Sequence, residues 1–215
     1  MLKTKVKASA VTNLTDARYF AAWEVEWLGF NLDTGAAGYI PPANIEAIKE
    51  WVDGVKITGE FNLQPIDEIL SAADELNLDA VQVGMFASQQ TVKALHEREI
   101  PVLQEMVVQD LSELSAIENQ MKANEDRVQY YILDFTKNNL KWADIQAYAL
   151  SRIQELSGEF PILLSVDFPA AQVEAILDST GVAGISVRGG EEEKVGYKSF
   201  DEVDDLFEAL ETFEE

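Results

Sequence analysis

A chain of 215 residues, 47% hydrophobic and 26% charged, has enough apolar surface to bury a core unaided, which excludes a disordered chain. It contains no cysteine, which excludes a disulfide scaffold, a thiolate metal site and a cysteine nucleophile. Against 39 acidic residues stand only 16 basic ones, and the formal charge of −23 repels nucleic acid and anionic lipid, so no nucleic-acid and no membrane partner is expected.

The same charge reads as a solubility feature in preference to a docking surface for a cationic partner. The first seven residues are basic, but no apolar segment follows them, and no run approaches the ~18 apolar residues of a membrane span. A cytoplasmic protein is expected.

Apolar runs rich in Val, Ile and Leu alternate with longer amphipathic stretches, the pattern of repeated strand–helix units on a parallel sheet. Strands are predicted at 5–11, 27–33, 55–61, 80–84, 101–108, 128–135, 161–167 and 184–189. Helix starts are signalled between them. Asn13 or Thr15 caps the first helix, Pro41-Pro42 precedes the second, and Pro65, Ser88 and Pro169 open later ones; Ser199 or Asp201 opens the last. Eight strands on the order of 25 residues apart predict an α/β fold, a (β/α)8 TIM barrel that spans residues 1–215 as one domain. The acidic end of the chain reads as a solvated helix face. Trp23, Trp51 and Trp142 are candidates for a dimer interface, although aromatic helix positions in a barrel more often belong to the core; monomer and homodimer both stay open.

In such barrels ligands bind at the C-terminal ends of the strands. The polar residues expected there include Ser9, Thr12, Asn31, Asp33, Glu60, Asn62, Gln82, Gln104, Glu105, Asp134, Ser165, Asp167 and Arg188. Strand alternation turns some of these away from the barrel axis.

The opening Val6-Lys7-Ala8-Ser9-Ala10-Val11-Thr12-Asn13-Leu14-Thr15-Asp16-Ala17 is similar to the Val-Lys-Ile-Cys-Gly-Ile-Thr-Asn-Leu-Glu-Asp-Ala of phosphoribosylanthranilate isomerases. Leu28-Gly29-Phe30, Tyr39-Ile40-Pro41-Pro42, Gly59-Glu60-Phe61, Leu78-Asp79-Ala80-Val81-Gln82-Val83 and Ile132-Leu133-Asp134 resemble further segments of that family in register. The resemblance implies a cofactor-independent Amadori rearrangement in tryptophan synthesis, with a strand-one cysteine as base and a strand-six aspartate as acid. Asp134 matches the acid.

Ser9 stands at the cysteine position. A serine hydroxyl is far less acidic than a thiol, with its reference pKa of about 8.5, and no histidine is at hand because His96 falls on the fourth helix. Lys7, on the same strand, is the available helper. Ser9 is thus either catalytic or strand packing, and Asp134 either a general acid or the anchor of a neighbouring loop. Gly38 and Gly84 replace a family arginine and histidine, and both changes remove a polar contact. The glycine-rich loop after strand six becomes Phe135-Thr136-Lys137-Asn138-Asn139, and Asp167 enters the loop after strand seven, where a carboxylate repels phosphate.

After strand eight the glycine and glutamate of the family pattern are kept at Gly189 and Glu191, and Gly196 and Lys198 retain a downstream match. Arg188 either holds an anion or neutralises Asp167, the pairing favoured here. The expected substrate-binding set is Arg188, Gly189, Lys137, Gln82 and Asp167, around a small, anionic ligand. The expected function is a family-like barrel without efficient family chemistry, acting as a ligand-binding protein or scaffold. The alternatives are an active isomerase with a replaced base and an enzyme that uses the acidic rim, Asp33, Glu60, Asp134 and Asp167, around a divalent cation. No metal-site motif is present.

Overall fold

The computed structural model describes residues 1–189, 192–194, 197–198 and 200–212. Eight parallel strands close into a barrel in sequence order: β1 (Lys5–Ser9), β2 (Trp27–Asn31), β3 (Lys56–Phe61), β4 (Ala80–Val83), β5 (Val102–Val107), β6 (Tyr130–Asp134), β7 (Ile162–Ser165) and β8 (Gly184–Arg188). The predicted TIM barrel is therefore present. Each expected strand appears, and every one is shorter than predicted at one or both ends. Closure is made by β1 against β8, with Ser9 paired to Arg188 across the seam.

The helices follow their start signals where these exist. Asn13 caps α1 (Leu14–Ala22), its side chain accepting from Asp16 N at 2.9 Å, and Ser88 caps α4 (Gln89–Glu97) by accepting from Thr91 N at 3.0 Å. Prolines open α2 (Pro42–Lys49) and α3 (Ile66–Leu76), where the fixed φ and the missing N–H cost nothing in a first helical turn. The β5–β6 connection is α5 (Leu114–Lys122), and two helices, α6 (Trp142–Tyr148) and α7 (Leu150–Glu159), link β6 to β7. Pro169 opens a 3₁₀ turn that runs into α8 (Val173–Thr180), and α9 (Asp201–Leu210) completes the ring. Ser199 lies outside the described residues. A short antiparallel pair, β9 (Glu192–Lys194) with β10 (Tyr197–Lys198), separates β8 from α9.

The apolar residues divide between two sides of the sheet. The floor of the barrel interior is a small cluster of Trp27, Ala80, Leu103, Ile132 and Leu163. A much larger cluster fills the layer between the outward strand faces and the helices. Trp142 is buried in it, and Trp23 packs against Phe207, with ring centroids 5.3 Å apart. Trp51 alone of the three candidate interface tryptophans is exposed, at 65%. No helix among the described residues is long and apolar enough to cross a membrane.

Above the apolar floor, alternation turns a second tier of side chains toward the axis: Lys7 and Ser9 on β1, Glu60 on β3, Gln82 on β4, Glu105 on β5, Asp134 on β6, and Ser186 on β8. All seven are buried. This polar tier is the wall of the mouth.

Candidate functional site

Lys7 is fully buried and forms an ion pair with Glu60. Its Nζ also donates to Ser9 Oγ at 2.8 Å, and Ser9 Oγ lies 2.9 Å from Ser186 Oγ. The other oxygen of Glu60 accepts from Ala10 N at 3.2 Å. Ala10 pays a conformational cost for this position, since φ of 53° is a left-handed value that a Cβ disfavours. Ser9 therefore sits at the edge of a buried charge pair, with its hydroxyl engaged on two sides.

A second charge network fills the opposite wall. Glu105, 4% exposed, forms an ion pair with Lys137, and Arg188 reaches from β8 across the opening to lie 3.8 Å from Glu105 and 3.7 Å from Asp134. Lys137 Nζ is 3.9 Å from Asp134 Oδ2. Burial pushes the Glu105 carboxyl above the usual glutamate range, and the adjacent Lys137 only partly opposes this. Asp134 is 1% exposed, and its Oδ1 accepts from Thr136 N at 2.7 Å, Thr136 Oγ1 at 2.6 Å and Lys137 N at 3.3 Å. The amides that follow β6 are thus already turned onto Asp134. They are not presented to an incoming anion.

Of the expected site residues, Asp134, Lys137 and Arg188 meet on one side of the mouth, Ser9 stands on β1 in a separate hydrogen-bonded group, and Gln82 lines the wall at β4. Gly189 directly follows β8. Asp167 does not join them. It is 60% exposed at its side chain and paired with Lys141, so the favoured Arg188–Asp167 pair is corrected to Arg188 with Glu105 and Asp134. The reason is local: β7 ends at Ser165, so residue 167 no longer follows the alternation that would have aimed it inward. Glu191 and Gly196 lie outside the described residues. Glu105 is among the polar residues expected at the strand ends but stands outside the expected catalytic and binding set, since nothing in a lone inward strand glutamate tells which cation it faces.

The acidic-rim arrangement does not assemble. Glu60 is paired with Lys7, Asp134 holds its loop, Asp167 lies outside, and Asp33 accepts from Asn62 N at 2.8 Å. Among the described residues no group of three His, Asp or Glu side chains is placed to hold a metal ion. At Gly38 and Gly84, the two glycines expected to stand for an arginine and a histidine, the surroundings differ. Gly38 has φ of +78°, and a Cβ on Gly84 would lie 2.9 Å from Asn62 Oδ1.

Residues 6–209 match the sequence model of N-(5'-phosphoribosyl)anthranilate (PRA) isomerase. The chain belongs to the PRA isomerase family. It is 21% identical to an N-(5'-phosphoribosyl)anthranilate isomerase of Caldanaerobacter subterraneus subsp. tengcongensis, an alignment that covers 96% of this chain and 97% of that protein. Among solved structures it is similar to the phosphoribosylanthranilate isomerase of Thermotoga maritima, with TM-score 0.77, 22% identity, and 96% and 98% of the two chains covered. It is also similar to a PRA isomerase solved with reduced 1-(o-carboxyphenylamino)-1-deoxyribulose 5-phosphate, with TM-score 0.76, 22% identity and the same coverage. Within the PRA isomerase family barrel this chain carries Ser9 at the end of β1 and Asp134 at the end of β6.

Proposed function

We propose that this member of the PRA isomerase family no longer performs the Amadori rearrangement efficiently and uses the same mouth to bind a different small molecule, in the cytoplasm. The observation that carries the reading is the engagement of every cation described at the mouth. Lys7 is held by Glu60, and Lys137 and Arg188 are held by Glu105 and Asp134. The family substrate carries a phosphate and a carboxylate. To bind, it would have to draw those cations away from Glu105 and Asp134, two buried carboxylates that would then lose their partners.

The chemistry points the same way. An acid that protonates the ribose oxygen must present a free oxygen, yet Asp134 Oδ1 is committed to three donors and Oδ2 faces two cations. Constellations that act as a unit fail as a unit, and here the thiol, the arginine and the phosphate loop are all replaced.

The contact between Lys7 and Ser9 favours a second reading, an isomerase with Ser9 as the replaced base. In that arrangement Lys7 Nζ donates to Ser9 Oγ and is paired with Glu60, so the hydroxyl meets a donor there and not a base. We therefore place it second.

A fluorescence assay with freshly generated phosphoribosylanthranilate decides between them, with Ser9→Ala and Asp134→Asn measured alongside the unmodified protein. No turnover above background is expected. Turnover that disappears in either variant establishes the isomerase instead.

A further inference from the structure

We infer that the β2–β4 side of the mouth takes the protonated amine of a small-molecule ligand, with Asp33 and Gln82 as its acceptors. This names a ligand class for the binding role proposed above and rests on that reading.

The two halves of the mouth differ in how completely their polar groups are satisfied. Around β5, β6 and β8, Glu105, Asp134, Lys137 and Arg188 neutralise one another. Across from them, three buried polar atoms, Asp33 Oδ1, Thr58 Oγ1 and Gln82 Oε1, have no hydrogen-bond partner among the described residues, and two of the three are acceptors only. Gln82 is 6% exposed, and its Oε1 has no hydrogen-bond partner. Asp33 is 8% exposed; its Oδ2 accepts from Asn62 N, while its Oδ1 is buried and unpartnered.

Register brings these residues to neighbouring strand ends. Gln82 follows Ala80 of the apolar floor by two residues, hence shares its inward face, and its Cα pairs with Glu60 of β3. On the other side of β3, Asn31 pairs with the same Glu60, and Asp33, past the end of β2, is placed by accepting from Asn62 N just past the end of β3. The orphan acceptors thus flank one strand.

The missing group must bring N–H or O–H donors and positive charge. Among the described residues Glu60, Glu105 and Asp134 each face a cation, Lys7, Lys137 or Arg188, and Asp33 makes no ion pair. A protonated primary amine supplies three donors, no acceptor and one charge. A hydroxyl brings an acceptor with its donor and no charge, and a phosphate or carboxylate brings the wrong sign. The segment that directly follows Asp33 is the part of this side with least packing. Residues 34–38 are exposed at every position, and Gly35 and Gly38 have open space around them, so little packing resists a shift of this segment.

The test is calorimetric titration of the folded protein at low salt with glucosamine, ethanolamine and putrescine, each matched to its hydroxyl counterpart: glucose, ethylene glycol and 1,4-butanediol. The same titrations are run on Asp33→Asn, which keeps the acceptor for Asn62, and on Gln82→Met, which keeps the shape; circular dichroism checks that both are folded. At least one amine is expected to bind, its hydroxyl counterpart about tenfold or more weaker, with a loss of about tenfold or more in each variant. The inference is overturned if no amine binds, if the hydroxyl compounds bind as well, or if both folded variants bind unchanged. Reduced 1-(o-carboxyphenylamino)-1-deoxyribulose 5-phosphate, titrated in parallel, keeps the two readings apart. Its binding counts against the loss of family chemistry, whereas silence from the amines removes only the amine site.

Discussion

Lys7 and Glu60 form a buried ion pair on adjacent walls of the barrel, and the pair exists because residue 29 between them has no side chain. A Cβ on Gly29 would overlap Glu60 Oε1 and come within 2.6 Å of Lys7 Nζ. The glycine of the Leu28-Gly29-Phe30 match is therefore a packing requirement of the charge pair. Its φ is not in the left-handed region, so conformational freedom is not what selects it.

Gly29→Ala should accordingly destabilise the protein by about 1–3 kcal/mol, the cost of overpacking at a site where only the ends of the Lys7 and Glu60 side chains can give way, as read from urea unfolding. The same change made in a Lys7→Met, Glu60→Leu background should cost far less, since no charge pair is then divided. A Gly29→Ala protein within about 0.5 kcal/mol of the parent, the range of an inconsequential surface change, would show that the pair can be accommodated elsewhere.

Asp134 is the residue on which a catalytic and an anchoring role make opposite demands. If its main task is to hold the turn after β6, Asp134→Asn, which keeps an acceptor at Oδ1, should cost about 1 kcal/mol, and Asp134→Ala, which strands the amides of Thr136 and Lys137, about 2–4 kcal/mol. Thermal and denaturant unfolding of the two variants measure this ordering. Equal stabilities for Asn and Ala would remove the anchoring role.

How much of this was legible in the sequence depends on where each contact's partner lies. Every strand could be read, because a buried strand must be a short apolar run whatever it packs against. Helix starts could be read where the cap is local, as at Asn13 and Ser88, or where proline marks the first turn, as at Pro42. The starts of α6 and α7 carry no side-chain cap at Lys141 or Ala149, and no such signal marks them in the sequence, whereas α5 is led in by a 3₁₀ turn that Asp110 caps by accepting from Ser112 N.

In the site, Ser9 and Asp134 could be found from the family pattern. The partners of Arg188 could not, since its side chain crosses the opening to β5 and β6 instead of meeting the loop after the neighbouring β7. Asp167 was misplaced because alternation was extended past the point where the strand ends. Sequence spacing fixes facing within a strand. Which acid meets which base across a closed barrel depends on side-chain reach and on where each strand stops.

Glu105 makes the pH dependence of stability testable. Its carboxyl is raised above the usual value of 4.5, first by burial and further by the charges of Asp134 and Glu60, with Lys137 pulling the other way. The folded protein then holds this proton more tightly than the unfolded chain. Between the ordinary glutamate value and the higher folded one, the unfolded state binds fewer protons, so stability contributed by this group is present below that window and lost as pH rises through it. Unfolding free energies measured from pH 4 upward should show this falling component in the parent protein and lack it in Glu105→Gln. The difference between the two curves isolates Glu105 from the self-repulsion of the other acidic groups, which both proteins share. A difference curve that is flat, or that rises with pH, would mean that Lys137 and Arg188 outweigh burial and that Glu105 is held on the anionic side.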